Sequence, residues 1–94
     1  MKNCNDYISD LGDEVRAWCE TNGREEGWLV ITELWQNYTM AVEAATVYST
    51  LCAFAPESKA VEEEKEKALA RLKRSAGDVL GITGGDLDFR DYAF

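Results

Sequence analysis

Apolar residues in the first part of the chain recur at alternating steps of four and three. Cys4, Ile8, Leu11, Val15 and Trp18 follow the spacing of one helical face. Asp6, Asp10, Asp13, Glu14 and Glu20 populate the rest of the cylinder. The pattern predicts a helix over 5–21, capped by Asn5, with acidic first turns suited to the positive end of the helix dipole. Asn22-Gly23 stops it, because glycine tolerates the left-handed conformation common just past a helix end.

The second element is predicted over 24–55, with Asn22 and Glu25 in the spacing of a capping box. Ile31, Trp35, Tyr38, Val42 and Ala45 form one row at helical spacing, and Leu34, Ala41, Ala45, Tyr48 and Cys52 form an adjoining one. A stretch this apolar around its circumference belongs in the middle of a bundle. At about 45 Å if continuous, it invites a kink or break. Its many β-branched residues keep a second reading open, a short strand near 28–34 in an α+β fold.

Pro56 ends this element and suits the first turn of the next, a helix over 57–76 closed by Gly77. Val61, Ala68, Leu69, Leu72, Ala76 and Leu80 supply its apolar stripe. Its carboxylates lie early and its cations late, as the dipole favours, and Glu63 with Lys67 makes a four-apart pair. Residues 77–94 read as a glycine-broken tail, irregular or ending in a short helix capped by Asp86, in which aromatic and acidic residues alternate. The expected architecture is all-α: one domain over 1–94, a small bundle of three main helices with that tail.

Composition sharpens this picture through charge. The 94 residues carry 18 Asp and Glu against 10 Lys and Arg, a net charge of −8, and no histidine. The charge is local. Residues 1–27 hold seven carboxylates against three cations, and residues 75–94 hold four against one, whereas residues 57–74 hold six cations against five carboxylates. A net-negative chain does not bind nucleic acid by phosphate neutralisation, which needs a basic face. The opening residues lack an apolar run of signal-peptide length, and the cysteines number three, an odd count. Both favour a reducing cytoplasm, that of a host cell if the chain is phage-encoded. The apolar stretch 40–55 is too short to span a bilayer.

Little in the sequence points to catalysis or to a cofactor. Without histidine the commonest general base and metal ligand are absent. Cys4, Cys19 and Cys52 lack the paired spacing of a zinc site. Asp86, Asp88 and Asp91 lack the glycine and terminal glutamate of a calcium loop. Gly81 to Gly85 is too loose for a phosphate loop and has no lysine beside it. We therefore expect no enzyme activity, no metal and no cofactor.

Binding is the better-supported class. Asp6, Asp10, Asp13 and Glu20, with Glu14 beside them, form an acidic row at nearly regular intervals, and four residues along a helix span about 6 Å, comparable with the separation of successive phosphates. Such a row suits a basic, nucleic-acid-binding surface on a protein or nucleoprotein partner. In the tail, Phe89, Tyr92 and Phe94 among Asp86, Asp88 and Asp91 have the pattern of a docking segment, or of a segment folded back over one end of the bundle. In size, charge and lack of a catalytic signature the chain is similar to small acidic inhibitors carried by phages and mobile elements, anti-CRISPR proteins among them; a neutralising antitoxin has the same character. The alternative is a structural subunit whose second helix builds a homodimer, with Trp28, Trp35, Tyr38 and Tyr48 at the interface. Core packing is the competing expectation for Trp18, Trp28 and Trp35.

Overall fold

The computed structural model describes residues 2–23 and 27–94, and three helices dominate it: α1 (Cys4–Asn22), α2 (Trp28–Phe54) and α3 (Lys59–Thr83). A two-residue strand β1 (Lys2–Asn3) precedes α1. A three-residue 3-10 turn, Phe89–Asp91, leads into a second short strand β2 (Tyr92–Ala93). The all-α bundle read from periodicity is the fold. The helical period also wins at 28–34, where the strand alternative stood, and α2 runs its 27 residues without a break. Helical packing overrides the β-branched content, and Thr39 and Thr46 turn their hydroxyls back onto the carbonyls of Trp35 and Val42.

The helix ends differ from expectation in instructive ways. Asn3, not Asn5, caps α1: its side chain accepts from the Asp6 amide while the Asp6 carboxylate accepts from the Asn3 amide. This reciprocal pair satisfies two of the amides a helix start leaves unbonded. Asn22 belongs to α1 and bonds back to the Trp18 carbonyl. The expected start of the second helix at 24 and the partner Glu25 lie outside the described residues. Pro56 and Glu57 precede α3, which Ser58 caps through the Val61 amide. Its ion pairs are Glu62–Lys65 and Glu64–Lys67 rather than Glu63–Lys67.

Gly77 does not close α3. The helix continues through Gly77 and Gly81 because Ala76 and Val79 are fully buried and Leu80 packs beside them. That burial outweighs the roughly 1 kcal/mol each glycine costs in a helix. The stop comes at Gly84, whose φ of 74° gives the left-handed cap that donates to the Leu80 carbonyl. The glycine that ends the helix is the one the backbone needs.

The core runs along the inner sides of all three helices: Leu11 and Val15 from α1, Leu34, Ala41 and Ala45 from α2, Leu72, Ala76 and Val79 from α3. The molecule is elongated, 49 × 26 × 17 Å. Where α1 crosses α2, Gly12 is buried and a Cβ placed there would lie 2.7 Å from the Tyr38 hydroxyl. Tyr38 uses the space to donate a long hydrogen bond to the Ile8 carbonyl, at 3.3 Å.

This crossing yields a test. Gly12→Ala is expected to destabilise the fold by about 1–3 kcal/mol through overpacking, despite the better helix propensity of alanine. Tyr38→Phe in the Gly12→Ala background should recover part of that loss in urea denaturation. Equal stability of Gly12→Ala and the parent would show that the helices part freely here.

Candidate functional site

The tail decides where the chain's negative charge sits. After Gly84 it turns back along α1. Gly85 passes so close to Glu14 that a Cβ on it would lie 2.8 Å from Oε2. At the far end, β2 pairs in parallel with β1, Lys2 opposite Tyr92 and Asn3 opposite Ala93. Between these points the tail lays its aromatic residues on Tyr7, which is fully buried. Phe89 stacks on the Tyr7 ring at 4.4 Å, and Tyr92 and Phe94 meet it edge-on at 5.0 and 5.9 Å. Lys73 of α3 lies over the other side of this cluster, 5.6 Å from the Phe89 ring.

Of the two sequence readings of the tail, the folded-back one describes Phe89, Tyr92 and Phe94. Tyr92 is buried and the other two half-buried, so these rings pack into the core of their own chain. Their interleaved carboxylates remain outside: Asp86 and Asp91 exposed, Asp88 partly so. The fold thus brings the acidic tail onto acidic α1, far apart as they are in sequence: Gly85 meets Glu14 and Tyr92 meets Asp10. Lys2, opposite Tyr92 in the strand pair, joins the same Asp10. Glu20 extends the row towards the end of α1 and is exposed.

These carboxylates are not equivalent. Asp6 is occupied in the α1 cap. Asp10 accepts from the Tyr92 hydroxyl at 2.6 Å and from Lys2 at 3.2 Å; the Tyr92 bond, then Lys2, holds its pKa below the ordinary carboxylate value. Asp88 caps the 3-10 turn through the Arg90 amide and takes the Arg90 guanidinium as well, which brings its pKa down to about 2. Asp13 pairs with Arg16 at 2.6 Å, both exposed to solvent, where such a pair contributes little to stability. Asp13, Glu20, Asp86 and Asp91 are the exposed carboxylates whose charge the fold does not consume in a cap or a buried contact. The row of nearly regular steps is therefore partly a structural device, and its outward charge is widened sideways by the tail.

A second surface lies on α2, the helix of the homodimer alternative. On α2, Trp28, Leu29, Met40 and Phe54 are 73, 71, 55 and 85% exposed, with Trp35 and Val47 more than one-third exposed. Core packing was the expectation for the tryptophans; Trp18 packs against the core, but Trp28 faces water. Tyr38 and Tyr48, expected with them at an interface, turn inward to Gly12 and Phe94. The signal in the sequence was the seven-residue spacing of Met40, Val47 and Phe54. Shallow grooves of about 580 and 270 Å³ line this side, the smaller between Met40, Glu43 and Val47 of α2 and Arg71 and Arg74 of α3. Cys4 is buried, Cys19 half-buried and Cys52 exposed, all with free thiols. No described helix is long and apolar enough to cross a membrane.

Two phenols report on the clamp between tail and α1. Burial pushes the Tyr7 pKa up to about 12, and the bond to Asp10, with burial, does the same for Tyr92. Both protons are held more tightly in the folded state than at the ordinary value of 10. Their stabilisation is therefore intact below pH 10 and lost as pH rises towards 12. Phenolate absorbance and circular dichroism are expected to change together in that window. In Tyr92→Phe the Asp10 carboxyl should titrate nearer its ordinary value by NMR; an unmoved Asp10 would mean that the hydroxyl does not control it. Compared with known proteins, the chain matches no family model, no curated protein and no solved structure.

Proposed function

We propose that this chain is a small, non-catalytic inhibitor that binds a basic protein surface, of the kind that otherwise holds nucleic acid, through its α1–tail face. The observation that carries the reading is the docking of the acid-rich tail along acid-rich α1, held by the Tyr92–Asp10 hydrogen bond and the close pass of Gly85 at Glu14. A cluster of like charge costs repulsion in the free protein. A basic groove relieves that cost, and the same field speeds encounter with it.

Within the face the roles divide. Asp13, Glu20, Asp86 and Asp91 are the contact carboxylates, whereas Asp6, Asp10 and Asp88 hold the surface in shape and add to its field. Asp10, held below the ordinary carboxylate value by Tyr92 and Lys2, and Asp88, brought down to about 2 by Arg90, are both ionised at neutral pH. Such a protein acts by occupancy, excluding the partner's own anionic ligand, and needs no reacting group.

The test uses the full chain as bait in a host lysate, beside a variant with Asp13→Asn, Glu20→Gln, Asp86→Asn and Asp91→Asn. Those four positions are chosen because none is used in a cap or a buried contact. The expected result is a nucleic-acid-binding protein retained by the parent, released by salt, and lost from the variant. The same protein should bind DNA or RNA less well when the parent chain is added. Retention by the neutral variant, or binding indifferent to salt, would overturn the proposal.

A further inference from the structure

The outer side of α2 is a surface of a different kind, and it says what covers it. A helix apolar around its circumference is a buried helix, yet in one chain only the inner side of α2 is covered. Its exposed large side chains fall in rows seven residues apart, Trp28 with Trp35 and Met40 with Val47 and Phe54. At 100° per residue the two rows lie about 110° apart and flank one broad apolar side of the helix. At roughly 150–250 Å² for a large side chain, the exposed fractions leave on the order of 700 Å² of apolar surface in water. That approaches the ~800 Å² per partner of a standard interface and exceeds what a lone chain commonly exposes.

We propose that this face seats a second copy of the chain, α2 packed antiparallel on the α2 of its partner. Charge selects the partner. Two chains of net charge −8 repel through most approaches, and α2 is the helix with the fewest charges to desolvate: it carries two carboxylates and no cation in 27 residues, and of the two Glu43 lies between the apolar rows. Beside Glu43 stand Arg71 and Arg74 in the same groove.

Register selects the direction. A two-fold axis at the level of Ala41 sets Trp28 against the partner's Phe54 and, by the same operation, Trp35 against the partner's Val47. The most exposed apolar residues at the two ends of α2 then cover each other. Glu43 meets the partner's Thr39, with the arginines of both copies along one side of the seam. A parallel pair would instead stack Glu43 on its own copy. The isologous arrangement closes on itself, as soluble homodimers do, and it leaves both acidic faces free. The inference does not rest on the inhibitor reading, since the two surfaces do not overlap.

Sedimentation equilibrium of the full chain tests it. The expected result is a monomer–dimer equilibrium between about 1 and 100 µM, strengthened and never weakened by salt, which screens the repulsion between two acidic chains. Val47→Glu should weaken the dimer at least about tenfold with helical circular dichroism unchanged. Trp28→Lys and Phe54→Glu should each weaken self-association, and mixing the two variants should restore a heterodimer, because antiparallel packing joins Lys to Glu at one end and keeps Trp28 on Phe54 at the other. A monomer throughout the range, or a dimer indifferent to Val47→Glu, would overturn the proposal. Failure of the mixed variants to associate would overturn the antiparallel register.

Discussion

The structure depends on the burial of Tyr7. Its ring belongs to the core that α1 shares with α2 and α3, and the tail closes the end of that core through Phe89, Tyr92 and Phe94. The bargain is uneven. The Tyr7 hydroxyl is buried without a hydrogen-bond partner, an omission that costs about 1–3 kcal/mol. Against it stand the ring's own apolar burial and three aromatic contacts of about 0.5–1.5 kcal/mol each. The aromatic cluster wins, and the tail is held although its strand pair is only two residues long on each side.

Docking the tail has an electrostatic consequence. Each aromatic residue that folds inward leaves its acidic neighbours on the outside, next to a helix whose outer row is already acidic. The fold answers this crowding locally. Tyr92 donates to Asp10, Lys2 joins the same carboxylate, and Arg90 neutralises Asp88 within the turn. The Asp10 contacts lie where tail and helix touch, whereas the Arg90–Asp88 pair is an exposed one within the turn. An acidic surface thus follows from the packing of aromatics, with the carboxylates arranged by the rings beneath them.

Periodicity made the helices legible, because a 3.6-residue repeat is a local property and the core uses it directly. Leu11, Val15, Leu34 and Leu72 are buried where that repeat places them. The boundaries were less legible for reasons that are not local. Gly77 carries the composition of a helix stop, and only the burial of Val79 beyond it keeps α3 going. Asn3 outcompetes Asn5 as a cap because β1 pairing already holds its backbone extended. In the acidic set, type and position could be read, but the division between structural and outward carboxylates could not. It is decided by Tyr92, which lies 82 residues from Asp10.

The apolar character of α2 was read correctly as that of a central helix, yet the chain contains too few helices to surround it. A three-helix unit can cover about half the circumference of its middle helix, and Gly12, Tyr38 and Ala41 show that half to be closely packed. On the other half, Thr32, Thr39, Thr46 and Thr50 separate the large side chains, which lowers the cost of exposure without removing it. Were this side meant only for water, glutamate and lysine would stand there as they do on α3. Charge is dense on α1 and α3 and sparse on the outer side of α2. The proposed pairing of α2 with a second copy is the arrangement that would cover that side.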